Sequence, residues 1–471
     1  MNYSQFVDLF DIAILLFTFE LIFYKFIPQR VFLFSIYLGV LTAIAQIIVV
    51  GYKWQYMPIY FIIFAYSVRF TYSAKKFNNL LSRLSSFVMF LIFIIALVLN
   101  FVFPVPTFEI ENFKYSVGYE EIHIVLDKEN PKAFVELSNL EPGSNRELMV
   151  DIYYPSNEES DYVQLVKDEG KVGGTIVQYL NRTWSLNIPE VMLEHLSLIS
   201  FQVSENIKPI NEKLPVVVYS HGWAGTKFFA AEQLMNLASQ GYIVIAVDHT
   251  GLAMFTNLPD KTIYNTGSSE VSSNIFNVMN GMAVDIEDTL SYLEETLLTE
   301  HLNTLFKNYA DFNNISLIGH STGGGSIYLY CTNNPCQTMI LQDPFFTPLT
   351  TELGILNMPS DTYWIYSQDW YRGFEPGVET PEFDVYKDQF NRNGYKAESY
   401  YLKDSRHYDF IAFGSISPLS GYTFLKGPIP YKNALESNNS FNLAALTNTN
   451  IIETEYLIQI SEWIQYTNIY N

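Results

Sequence analysis

The stretch Ile315-Ser316-Leu317-Ile318-Gly319-His320-Ser321-Thr322-Gly323 decides how this chain is read. Its apolar run Ile315 to Ile318 has the pattern of a buried strand, and Gly324-Gly325-Ser326 opens a helix-like run to about Cys331. Between strand and helix a serine sits on a sharp turn, with a glycine two residues away on either side. Those glycines have a steric reason. The turn holds the serine in a strained backbone conformation, and side chains at Gly319 and Gly323 would crowd the neighbouring strand and helix. A Gly/Ser-rich turn without chemistry is the bland alternative, and the flanking strand and helix weigh against it.

A G-x-S-x-G turn between strand and helix is the nucleophile elbow of α/β-hydrolases, so the fold expected is α/β, a mostly parallel central sheet with flanking helices. An elbow serine is a poor nucleophile until a base takes its proton and an acid orients that base. In this fold the partners follow in the order serine, acid, histidine. Of the seven histidines only His407 lies after Ser321, in the polar loop that follows strand-like Glu398 to Leu402. Two acids compete. Asp343 follows the apolar run Met339 to Gln342, and Asp369 follows Trp364 to Ser367. Both fall at the carboxyl end of a strand, where active sites of such sheets lie, and chain order leaves both open. An oxyanion needs two backbone donors. Thr322 supplies one, and Trp223, in the loop His221-Gly222-Trp223-Ala224-Gly225 after the buried-strand pattern Leu214 to Ser220, supplies the other. His221 reads as a brace for that loop, His320 as a residue packed nearby, and His249 as a pocket-lining residue.

With these residues in place, the chain resembles the plasma-type platelet-activating-factor acetylhydrolases, also called lipoprotein-associated phospholipases, and their bacterial relatives. The resemblance spans most of residues 112 to 425. It rests on Tyr115-Ser116-Val117-Gly118, Tyr153-Tyr154-Pro155-Ser156, the run Pro215 to Gly222, the run Ala238 to His249, the elbow, and Asp343 with Phe345-Phe346 and Pro348-Leu349. It implies Ser321 as nucleophile, His407 as base and Asp343 rather than Asp369 as acid, with Trp223 and Thr322 at the oxyanion. It implies cleavage of sn-2 esters with short or oxidised acyl chains, without metal or cofactor. Two departures stand out: the family often has an aliphatic residue at the Trp223 position, and an aromatic or methionine where this chain has Thr322. Relatives that cleave polyesters and simple esters make a broad-specificity carboxylesterase or lipase the alternative. A non-catalytic membrane-bound binding or sensing protein on the same scaffold is the alternative of another class; it would lack a triad member, and here all are present.

The first hundred residues are of another kind. Leu9–Ile27, Val31–Val50, Trp54–Tyr72 and Leu84–Pro104 are long apolar segments, and a bilayer-spanning helix needs about 20 mostly apolar residues. They predict about four transmembrane helices over residues 1–106, linked by Pro104-Val105-Pro106 to a catalytic domain over 107–471. No cleaved signal peptide is read, since no basic leader precedes the first segment. Basic residues in the first and third loops (Arg30, then Lys75, Lys76 and Arg83) place those loops in the cytoplasm and the large domain outside, in a multi-pass cell-membrane protein. The first 106 residues carry a net charge of +4 within a chain of −22, which leaves −26 on the remainder. So acidic a domain repels the phosphates of nucleic acid and of anionic lipid surfaces, which points to zwitterionic or neutral esters.

Cys331 and Cys336 read as a disulfide or as two buried thiols, and two cysteines without a histidine pair at ligand spacing make a poor zinc site. Glu121–Leu126, Ala133–Leu137 and Leu148–Tyr154 alternate like strands. Residues 160–205 read as an insertion near the site, with Val191–Ile199 helical. Phe228–Gln240, Asn274–Leu298 and a closing Asn450–Tyr466 read as helices, with Asp285, Glu287 and Asp288 on a solvated face.

Overall fold

The computed structural model describes residues 3–72, 79–110, 113–158, 171–267, 275–295, 300–368, 370, 390–422 and 426–460. A long antiparallel hairpin, Ser116–Glu129 (β1) and Asn145–Ser156 (β2), opens the sheet, with the short strand Ser204–Glu205 (β3) at its edge. Six strands then run parallel: Leu214–Ser220 (β4), Ile243–Asp248 (β5), Ala310–His320 (β6), Thr338–Gln342 (β7), Asp361–Ser367 (β8) and Ala397–Leu402 (β9). Leu457–Gln459 (β10) closes the far edge antiparallel to β9. The spatial order is β10-β9-β8-β7-β6-β4-β5-β2-β1-β3. The sheet is therefore mixed, with a parallel centre and antiparallel flanks, rather than mostly parallel throughout.

Apolar residues at both parities explain why the central strands are buried on two faces. Val217, Tyr219, Val244, Ile318, Ile340 and Ile365 face one layer with Ala231–Ser239 and Tyr431–Leu446. Val216, Val218, Ile245, Leu317, Leu341 and Trp364 face the other, with Ile275–Glu295 and the elbow helix Thr322–Asn333. The parallel register brings the carboxyl ends of β4 to β9 to one rim. Ser220, His249, Ser321, Asp343 and His407 all lie at or just beyond those ends.

Three local expectations fail for identifiable reasons. Ala133–Leu137 is no strand but part of a helix, Lys132–Leu137, started by Pro131; its buried Ala133, Phe134 and Leu137 have helical spacing. The closing helix is absent from residues 450–460, where Leu457–Gln459 pairs with β9 and Ile452 lies in solvent, and residues beyond 460 are outside those described. The last described helix is Tyr431–Leu446, which packs on Ala231–Ser239. Asp285 is not solvated: the Arg146 guanidinium grips both its carboxylate oxygens at 2.9 and 2.6 Å, with both side chains buried. Glu287 is exposed as expected, while Asp288 pairs with Lys128.

The N-terminal region forms helices Tyr3–Ile22 (α1), Gln29–Val49 (α2), Met57–Tyr72 (α3) and Asn79–Val102 (α4), packed around Ile14, Leu21, Ile36, Ile59, Ile63 and Phe93. Two of them, over Gln29–Val49 and Arg83–Val102, are long and apolar enough to cross a membrane. The count of about four spans is thus not met: α3 has 16 residues, and α1 carries Asp8, Asp11 and Glu20. The two qualifying segments are 22% and 11% buried, unlike the core helices of a water-soluble fold. Lys75 and Lys76 of the third loop lie outside the described residues. Among the described residues, two hydrogen bonds tie the region to the sheet-bearing part of the chain. Trp54 Nε1 donates to His195 Nδ1 at 3.3 Å, and Ser417 Oγ donates to the Val102 carbonyl at 2.6 Å.

Burial of the imidazoles at the strand ends makes stability depend on pH. His221 is held near about 3 by burial, far below its ordinary value, so it stays neutral in the folded chain while an unfolded chain takes up a proton near pH 6.5. Stability from this residue is intact above pH 6.5 and is lost as pH falls toward the folded value. In detergent, His221→Gln is expected to reduce the loss of unfolding free energy between pH 6 and 5 by about 1.4 kcal/mol per pH unit, one proton's worth, measured by denaturant titration. Arg146→Leu, which strands a buried carboxylate, is expected to lower stability by about 3–5 kcal/mol in the same assay.

Candidate active site

The elbow forms as its glycines require. Ser321 adopts φ 56° and ψ −122° between β6 and the helix Thr322–Asn333. A Cβ at Gly319 would enter the Gly323 carbonyl, and one at Gly323 would enter that of Ser220, so the helix start lies directly on the adjoining strand. Three backbone bonds pin the turn: the Ser321 N–H donates to Gln342 O, and Ser321 O accepts from the Gly324 and Phe345 N–H groups, each at 3.0 Å. The strained residue is thus held by the strand β7 beside it as well as by its own helix. At the far end of that helix Cys331 and Cys336 form a disulfide, which resolves the alternative of two thiols.

Asp343, at the end of β7, is fully buried and has φ 42°. One carboxylate oxygen accepts the Ser367 N–H at 2.5 Å, and the other faces His407 Nδ1 at 3.0 Å. A carboxylate only accepts, so Nδ1 carries the proton and Nε2 is left as the basic nitrogen. Burial holds the His407 ring below its ordinary value, so the ring is neutral near pH 7, the state a general base needs. Asp369, the other candidate acid, lies outside the described residues.

The rings around His407 fix its plane. His320, next to Ser321 in the chain, packs on it at 4.5 Å between centroids, and donates from Nε2 to the His407 carbonyl at 3.0 Å. Trp370 stacks on it at 4.4 Å and 13°, and donates from its indole nitrogen to the Pro344 carbonyl. Trp370 was not among the residues singled out from the sequence, where nothing separates it from a core tryptophan. The loop carrying His407 is braced by Asp409, whose Oδ2 accepts the Arg406 and Gly427 N–H groups at 2.8 and 2.7 Å. No hydrogen bond joins Ser321 Oγ to His407 in this structure; His320 is what links the elbow to the imidazole. Such bonds are often long before substrate binds.

The His221–Gly225 loop passes over the elbow. A Cβ at Gly222 would lie 2.7 Å from that of Ser321. His221 donates from Nδ1 to the Gly222 carbonyl at 2.8 Å and accepts the His249 N–H at Nε2, so it braces the loop. The other end is tied down by Lys227, whose N–H donates to Asp248 and whose ammonium sits between Asp151 and Glu121. Thr322 opens its helix, where an N–H has no intrahelical acceptor. Trp223 lies between the two anchored ends of its loop. The insertion adds Ile176, Leu180 and Leu193 to the same apolar layer as Met254, Tyr264 and Tyr408, and its Arg182 guanidinium lies 4.4 Å over the Tyr264 ring. Its residues 159–170 are outside those described. His249 does not line a pocket; it is fully buried beneath the rim.

Comparison with known proteins agrees with this architecture. Residues 135–267 match the family model described as platelet-activating factor acetylhydrolase, isoform II. The match takes in β2, β4, β5 and the Trp223 loop and ends before Ser321, Asp343 and His407. No curated protein matches the chain. Among solved structures, a ferulic acid esterase from Streptomyces cinnamoneus is similar at 19% identity with a TM-score of 0.54, covering 73% of this chain and 93% of that one. At that identity the likeness shows the fold, and the fold is that of an α/β-hydrolase.

Proposed function

We propose that this chain is a serine ester hydrolase held at a membrane by its N-terminal helices, and that it cleaves short or oxidised sn-2 acyl chains from phospholipids. The observation that supports it most is the hydrogen bond from His407 to the buried Asp343, formed beside a serine on a left-handed elbow. In this reading His407 Nε2 takes the Ser321 proton as the hydroxyl attacks the ester carbonyl. Asp343 keeps the imidazole in the tautomer that leaves Nε2 basic and stabilises the imidazolium that forms. The Trp223 and Thr322 N–H groups receive the oxyanion. His407 then protonates the leaving alcohol and activates water against the acyl-enzyme.

The membrane part of the proposal rests on the two apolar helices. Lys75 and Lys76 before the second of them and Arg83 at its start favour the cytoplasm at that end, and put the hydrolase part, which follows Val102, outside. A disulfide suits that oxidising side. A broad carboxylesterase is the second reading, favoured by Trp223 in place of an aliphatic residue and by the likeness to a ferulic acid esterase.

Ser321→Ala is expected to abolish hydrolysis of a short-chain p-nitrophenyl ester and labelling by a fluorophosphonate, with expression retained; unchanged turnover refutes the assignment. Asp343→Asn is expected to lower kcat by about a thousandfold or more, while Asp369→Asn stays close to wild type. A panel of phosphatidylcholines with graded sn-2 chains, set against water-soluble esters, separates the two substrate readings through kcat/KM.

A further inference from the structure

Beneath the elbow lies a second series of serine, histidine and aspartate. Ser220 Oγ, at the end of β4, is 2.9 Å from His249 Nε2, and His249 Nδ1 is 3.0 Å from Asp285 Oδ2. Arg146 neutralises that carboxylate from the other side. Ser220, His249 and Arg146 are 0% exposed and Asp285 is 1% exposed, so no substrate reaches them and they form no second catalytic centre.

The polarity of the series can be read from its donors. The Asp285 carboxylate, held ionised by Arg146, accepts the Nδ1 proton, and burial keeps His249 neutral. Nε2 is then an acceptor, and Ser220 donates to it. Ser326 Oγ, on the elbow helix, stands 2.8 Å from Ser220 Oγ and 2.8 Å from the carbonyl of Gly323 in the elbow itself; since the Ser220 proton goes to His249, the one Ser326 proton is shared between these two acceptors. The backbone N–H of His249 donates to His221 Nε2 at 3.1 Å, and His221 in turn holds Gly222. His249 thus reaches the elbow helix through its ring and the Trp223 loop through its backbone.

We propose that Ser220, His249 and Asp285 act as a positioning relay that keeps the Trp223 loop and the Ser321 elbow in one register, so that both N–H groups meet the same oxyanion. The proposal rests on the reading of Ser321 as nucleophile. The two donors belong to separate elements, and neither the strand pairing nor the apolar layers hold a loop amide against a helix amide to a fraction of an ångström. A directional buried network does, because the acceptors Asp285 Oδ2 and His249 Nε2 fix the order of its donors. Misplacement near 1 Å lowers turnover by up to about a hundredfold.

The test uses the full chain in detergent, with active sites titrated by a fluorophosphonate. Per titrated site, Ser220→Ala is expected to lower kcat on a p-nitrophenyl ester by about tenfold to a hundredfold, with KM within about twofold. The rate constant of phosphonylation, which needs the same two amides, is expected to fall in parallel. Ser220→Thr, which keeps the hydroxyl, is expected to recover most of both, and His249→Asn to behave like Ser220→Ala. Turnover and phosphonylation of Ser220→Ala within about twofold of wild type overturn the relay, as does a fall in kcat with phosphonylation unchanged. Failure of both Ser220→Ala and His249→Asn to fold assigns the network to stability alone and overturns it too. A Ser321→Ala protein as active as wild type is a separate result, which removes the nucleophile assignment and the relay with it.

Discussion

The left-handed backbone at Ser321 is the constraint on which the rest of the arrangement depends. A non-glycine residue in that region costs of the order of 1–3 kcal/mol and persists only where its surroundings over-determine it. Here β7 supplies an acceptor to the Ser321 N–H, two amides bind its carbonyl, and glycines on either side let the helix meet the strand. Because the helix starts so close to the sheet, the side chain of Ser321 stands at the rim, and Thr322 presents an N–H at the same rim. A looser turn would separate the hydroxyl from the amides that this chemistry requires.

The rim holds buried polar groups whose pairing leaves Nε2 of His407 as a basic nitrogen. Asp343 fixes the His407 tautomer, and His320 and Trp370 fix its plane. His221 and Lys227 anchor the two ends of the loop above the elbow. Three imidazoles, those of His221, His249 and His320, are held below their ordinary values by burial, so these rings are uncharged near neutral pH. On the proposed mechanism, an imidazolium on His407 would have Asp343 as its counter-ion.

The N-terminal helices and the hydrolase part touch where the chain leaves α4 and where the insertion turns. His195 on the insertion meets Trp54, and Ser417, ten residues after His407 in the chain, meets Val102. On the proposed reading, these contacts would hold the site near a bilayer, which is the ground for preferring a lipid ester.

Much of this was legible in the residues themselves. The elbow, the α/β order of strands and helices, the sole histidine after Ser321 and the His221–Gly225 loop follow from local steric rules and chain order, which act over a few residues or along the chain. The apolar character of α2 and α4 is likewise a local property. What tertiary structure decided depends on contacts far apart in sequence. The pairing of Asp343 with His407, the stacking of Trp370 and the burial of Asp285 against Arg146 bring together residues 64, 37 and 139 positions apart. The expectation of a helix from Asn450 misled over residues 450–460 because an open edge of β9 was waiting for a strand, and charge on Asp285 misled because its counter-ion lay in β2. A residue's own side chain sets which partners it can accept; which partner it meets is set by the packing of the whole sheet.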